Sequence, residues 1–213
     1  MVVSPLQASK SNYAPDFATA PDPALLQEAL RAISCAQASG YGTRAQSLTL
    51  IDYRIPSTQK RLWVIEIATG HILYHEHVAH GRNSGENYAR HFSNAEGSNQ
   101  SSLGLYLTEE TYVGGNGYSL RLNGLEPGIN DQARKRAIVM HGAPYVNPDM
   151  AERQGRLGRS LGCPALRGVI AGPIINKIKQ GNFLYAYYPD EKWLRQSRFA
   201  QCKAKAPLQS AAR

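Results

Sequence analysis

Three cysteines in 213 residues cannot all pair with one another, so at least one is a thiol. Either all three are thiols, or Cys35 and Cys202 pair and leave Cys163 free. No apolar run approaches the ~18 residues of a membrane-crossing helix, which excludes an integral membrane segment of that kind. Acidic residues are scarce, 16 against 24 Lys and Arg, giving a net charge of +8 and a pI near 9.5. That imbalance suits an acidic partner: nucleic acid, an anionic membrane surface or an anionic wall polymer. The chain has no RNA-recognition or basic-zipper motif, and aromatics do not alternate with its basic residues, which speaks against nucleic acid. No basic n-region and long apolar stretch open the chain, so its first residues are not expected to act as a signal peptide as written, and the compartment stays open. The start reads instead as the Ala/Pro/Ser-rich spacer that often follows one. No internal repeat is present, and nothing specifies an oligomeric state.

A hydrophobic content of 42% and a length that supports one sizeable core predict one domain with trimmings. Residues 1–45 are expected to be a leader and a short helix that packs on the domain. Asp22 followed by Pro23 supplies an N-cap oxygen and a proline at the first helical position. Leu26, Ala29, Leu30 and Ile33 follow at helical spacing, and Gly40 can end the helix. Cys35, near its end, reads as a small buried residue.

From Leu48 the period changes to two. "LTLIDYR", "RLWVIEI" and "HILYHEHVAH" predict strands, with Ala68-Thr69-Gly70 as a three-residue hairpin loop. Further strands are expected over 105–107, 119–122, 137–140 and 182–188, and a helix from Pro173 to Gly181. The long polar stretch between Gly81 and Gly104 is the kind of loop that carries function. Residues 191–213, with Lys192, Arg195, Arg198, Lys203, Lys205 and Arg213, read as a solvated basic tail.

Six histidines can be weighed singly. His75 and His77 share a strand face, but the position four after His75 is Ala79, so the zinc-protease pattern fails and no metal site is read there. His141 differs, because it ends the apolar run "AIVM" where a buried strand opens into a loop. Cys163 follows it after an Arg-rich loop and the tight "SLG" turn. A thiol of ordinary pKa is only a few per cent thiolate at neutral pH and needs a base or cation nearby. His141, Arg156 and Arg159 could supply both. Gly162 permits positive φ and brings the Cys163 N–H toward a substrate carbonyl.

"MHGA" followed by "GRSLGCPAL" resembles the paired motifs of the L,D-transpeptidase catalytic domain, the YkuD type, in its murein subgroup with a Gly-Cys-Pro ending. The likeness covers residues 46 to about 190. "PSTQKRLWVIEIATG", "VAHGRNSGENYARHFSN", "SSLGLYLTEETYVGGNGYSLRLNGLEPG" and "HGAPYV" carry it further. The resemblance implies a mainly β, sandwich-like domain with a few peripheral helices over 46–190. It implies Cys163 as nucleophile, His141 as base, and Ser160 and Gly162 as the turn before the cysteine. Most members have histidine at the position of Leu161 and arginine at that of Ala165. Without that arginine, Arg159, Arg156 or Arg167 is expected to hold the substrate carboxylate, with Tyr118 and Tyr112 lining the pocket. Gly142 carries no side chain, so a backbone carbonyl is expected to orient His141. The implied partner is the peptidoglycan stem peptide, the expected location the periplasm or cell envelope with the cytoplasm as the alternative, and no metal or organic cofactor is needed.

Overall fold

The computed structural model describes residues 20–203; most of the leader, residues 1–19, and residues 204–213 of the basic stretch lie outside them. Helix α1 spans Pro23–Ala38. Asp22 Oδ1 accepts from the N–H groups of Ala24 (2.8 Å) and Leu25 (3.4 Å), satisfying two donors that the first turn leaves without helical partners. Leu25, Ala29, Leu30, Ala32, Ile33 and Ala36 bury one face of the helix in the main core.

Eight strands form one sheet: β1 (Ser47–Asp52), β2 (Leu62–Glu66), β3 (Ile72–Glu76), β4 (Gly104–Gly114), β5 (Gly117–Gly124), β6 (Val139–Ala143), β7 (Ala165–Arg167) and β8 (Phe183–Tyr187). Their order is β3-β2-β1-β8-β4-β5-β6-β7, with parallel pairs at β1/β8 and β6/β7. The sheet curls until its two edges nearly meet. The Ala79 N–H donates to the Ala165 carbonyl at 2.9 Å, and Arg167 on β7 grips Glu76 on β3 through two bonds of 2.6 and 2.7 Å. The mainly β domain expected from the sequence is thus a single, nearly closed sheet.

The β2–β3 hairpin is present with Gly70 at φ 72°, but five residues, 67–71, join its strands rather than the three expected. Strand β4 is far longer than the three residues expected, because its outer half, "TEETYV", is held by pairing with β5 rather than by apolar alternation. Helix α3 spans Gly168–Ile178 and starts five residues before Pro173, which therefore lies inside it. The carbonyl this proline leaves without a helical donor belongs to Val169, a strongly exposed residue. Helix α2 (Pro148–Gln154) was not expected, although Asn147 and Pro148 cap it as Asp22 and Pro23 cap α1. Residues 191–203 are not a solvated tail. Helix α4 (Glu191–Gln196) and the segment after it bury Trp193 and Phe199 in the main core, and Cys202 is disulfide-bonded to Cys35. Basic residues on the outer face had hidden that apolar side, and Cys35 is a cross-link rather than a small buried thiol.

Candidate active site

The turn that ends in Cys163 is built from four residues. Ser160 Oγ donates to the Cys163 carbonyl at 2.7 Å and accepts from the Gly162 N–H at 3.0 Å, which closes the turn. Gly162 sits at φ 128°, where a side chain is strained, and a Cβ there would lie 2.8 Å from Ile138 and 2.9 Å from the Gln100 carbonyl. Leu161, at the tip, is exposed. Cys163 is 8% exposed and is a free thiol.

The chain leaving β3 frames this turn from behind. The Ser160 N–H donates to the His80 carbonyl, the Arg82 N–H donates to the Ser160 carbonyl, and Ser101 Oγ bridges the Gly81 N–H to the Gly162 carbonyl at 3.0 Å each. His80 is itself held: its Nδ1 accepts from the buried Arg61 at 2.7 Å, and its Nε2 lies 3.3 Å from the Gly85 carbonyl. Burial and the Arg61 charge push the His80 imidazole down to about 3, so it is neutral at pH 7.

His141 lies on β6, in register with Ala165 on β7 and Ser119 on β5. Val139, two residues before it, gives its N–H to the Cys163 Sγ at 3.4 Å, so the thiol lies two residues from His141 along β6. His141 Nδ1 is 2.9 Å from the carbonyl of its neighbour Gly142. An Nδ1–H donated there leaves the Nε2 lone pair to act as a base. The group beside Nδ1 is a backbone carbonyl, the kind of partner expected from the bare Gly142.

Strand alternation sorts the remaining residues. Ser119 and Tyr112 share the face of His141, since Tyr112 pairs with Ser119 across β4 and β5. Tyr118 lies on the opposite face, with Gly142, and its hydroxyl donates to Asn176 of α3 at 2.8 Å. It does not line the His141 side. Arg121, which the sequence reading passed over, is on the His141 face in register with Val139, stacked 4.4 Å above the Tyr112 ring and paired with Glu110. A small cluster of Ala79, Ala143, Val146, Ala151, Leu157 and Ala165, with Tyr145 against it, walls that side.

The arginines named from the sequence are all engaged. Arg159 donates to the carbonyls of Arg82 and Gly85 and pairs with Glu86 at 2.7 Å; Arg156 pairs with the other oxygen of the same carboxylate at 2.7 Å. Glu86 is 71% exposed and thus sits on the rim. Arg167 is committed to Glu76. Burial pushes the Cys163 thiol up, while the Val139 N–H and the positive charge of Arg136 pull it down. Arg136, Ser101 and Tyr145 were missed from the sequence. Ser101 holds the Gly162 carbonyl, and Arg136 and Tyr145 interact electrostatically with the cysteine, from segments 18 to 62 positions away with no local pattern to mark them.

The chain matches the model of the L,D-transpeptidase catalytic domain over residues 18–187, most of its length. It belongs to that family. No curated protein matches the chain. Among solved structures, this L,D-transpeptidase domain is similar to the Bdellovibrio bacteriovorus protein Bd1075, with 15% identity, a TM-score of 0.43, and 67% of this chain and 47% of that one covered. It is similar to an L,D-transpeptidase from Mycobacterium smegmatis, with 13% identity, a TM-score of 0.44 and coverage of 68% and 59%. It is also similar to an L,D-transpeptidase from Xylanimonas cellulosilytica, with 14% identity, a TM-score of 0.39 and coverage of 72% and 68%. The domain thus spans about half to three fifths of the first two of these chains.

Proposed function

We propose that this L,D-transpeptidase domain is a cysteine acyltransferase acting on peptidoglycan stem peptides. The observation that carries the reading is the placement of the Cys163 thiol against β6 two residues from His141, whose Nδ1 is spent on the Gly142 carbonyl. Nε2 takes the thiol proton, and the thiolate attacks the carbonyl joining the L-centre of a diamino acid to D-alanine. The C–N bond breaks, protonated His141 returns the proton to the leaving amine, and a thioester remains on Cys163. An amine of a second stem then forms a new amide and frees the thiol; water in its place gives a trimmed tripeptide. The Gly162 N–H is committed to Ser160, so the Cys163 N–H is the turn's donor to the oxyanion.

Arg159, with Arg156 beside it, serves as the carboxylate-binding cation, exchanging the rim carboxylate of Glu86 for that of the stem. The basic surface suits an anionic wall polymer. The Cys35–Cys202 disulfide fits an oxidising compartment, supporting a periplasmic or cell-envelope location. The test is a tetrapeptide muropeptide incubated with and without excess acceptor stem, with products read by mass. Cross-linked dimer identifies a transpeptidase, tripeptide alone an L,D-carboxypeptidase, and unchanged tetrapeptide contradicts both.

A further inference from the structure

We infer that Arg136 is a positioning residue of the nucleophile turn: its guanidinium clamps the 93–102 loop against Gly162 and keeps an unneutralised positive charge beside the Cys163 sulfur. Nη1 donates to the Ser93 carbonyl at 2.7 Å and to Ser102 Oγ at 2.6 Å; Nη2 donates to Ser98 Oγ at 3.1 Å and to the Gln100 carbonyl at 2.7 Å. Four of its five N–H donors are thus spent on one loop. That loop backs the Ser160–Cys163 turn, because Ser101 near its end holds the Gly162 carbonyl, and a Cβ on Gly162 would stand 3.4 Å from Arg136 Nη2.

All four acceptors are neutral, and among the described residues no carboxylate forms an ion pair with Arg136. Its charge is therefore not cancelled locally, and in half-buried surroundings it acts over a longer reach than in water. With Nη2 against Gly162, the residue before the cysteine, that charge favours the Cys163 thiolate, which burial otherwise disfavours. His141 supplies the base, whereas Arg136 lowers the cost of the charge that the base creates. With both terminal nitrogens held by loop acceptors, Arg136 cannot grip a substrate carboxylate through its Nη pair, which separates its role from that proposed for Arg159.

The inference rests on Cys163 being the nucleophile, but it can be read on the thiol alone. With Cys35 and Cys202 joined, iodoacetamide alkylation followed by intact mass reports on Cys163. In Arg136→Gln the pH midpoint of alkylation should rise by about one unit, so that the rate at pH 7 falls about tenfold while the high-pH plateau stays. Arg136→Lys, which keeps the charge, should retain a midpoint close to that of the wild type. A midpoint unmoved in the Gln variant, or moved as far by Lys as by Gln, overturns the electrostatic role.

If Arg136→Gln does not fold, the Ser98→Ala/Ser102→Ala pair removes two clamp bonds and spares the charge. It should leave the midpoint in place and slow carbapenem acylation of Cys163 several-fold; a shifted midpoint or an unchanged acylation rate overturns the inference. Absence of any carbapenem adduct on wild-type Cys163 would instead strike the functional reading itself.

Discussion

At the scale of single residues, His141 and the arginines do different work, and each role has its own kinetic mark. His141→Ala should fold, since among the described residues the ring's hydrogen bond is to its own neighbour's carbonyl. It should lower the acylation rate about 10² to 10⁴-fold, the usual worth of a positioned base. Stopped-flow acylation measures this, and an unchanged rate would place the base elsewhere. Arg159→Gln removes a charge-assisted bond worth about 1.5 to 3 kcal/mol, so use of a free-acid tetrapeptide should fall roughly tenfold to a hundredfold. Its C-terminal amide should be affected much less. Equal losses on acid and amide would dismiss Arg159 and turn attention to Arg121, which shares the face of His141.

Elements decide whether those residues meet. The turn before Cys163 works only because Gly162 accepts φ 128° with the Gln100 carbonyl and Ile138 packed where a side chain would begin. Gly162→Ala should therefore cost stability of about 1 to 3 kcal/mol and slow acylation at least tenfold. Paired thermal melts and acylation rates check this; a variant with wild-type values for both would remove the turn from the account. Much of this level could be read in the sequence. Helix α1 was legible because Asp22 and Pro23 mark its start and four apolar residues mark its face. Most strands were legible by their period of two. Strand β7 was not, since Ala165–Arg167 is three residues long and gains its identity from pairing with His141, 24 positions away. Helix α4 was hidden because its charged face dominates composition while Trp193 alone is buried within it. Cys163 and His141 stood out through their glycine-flanked motifs, whereas Ser101 and Arg136 act through a loop whose polar sequence has no period.

For the whole molecule, closure of the sheet makes the site sensitive to acid. Arg61 and His80 are both fully buried where the chain leaving β3 passes behind the Ser160–Cys163 turn. In the folded protein His80 stays neutral down to about pH 3, whereas in the unfolded chain it takes up a proton near its ordinary 6.5. Below about pH 6.5 the unfolded state thus binds more protons, and stability is lost as pH falls through that window. Burial of Glu28 and Glu126 raises their carboxyls and works in the opposite direction, costing stability as pH rises above 4.5. Between pH 7 and pH 4 the melting temperature of His80→Asn should fall less steeply than that of the wild type, whatever its absolute level. Parallel slopes would show that His80 does not carry the acid response.

The central claim is that Cys163 is acylated with His141 as its base. Its most direct test is intact mass after incubation with a carbapenem. One covalent adduct is expected on the wild-type chain, mapped to the peptide containing Cys163, and none on Cys163→Ser. An adduct that persists in Cys163→Ser, or that maps to Cys35 or Cys202, would contradict it.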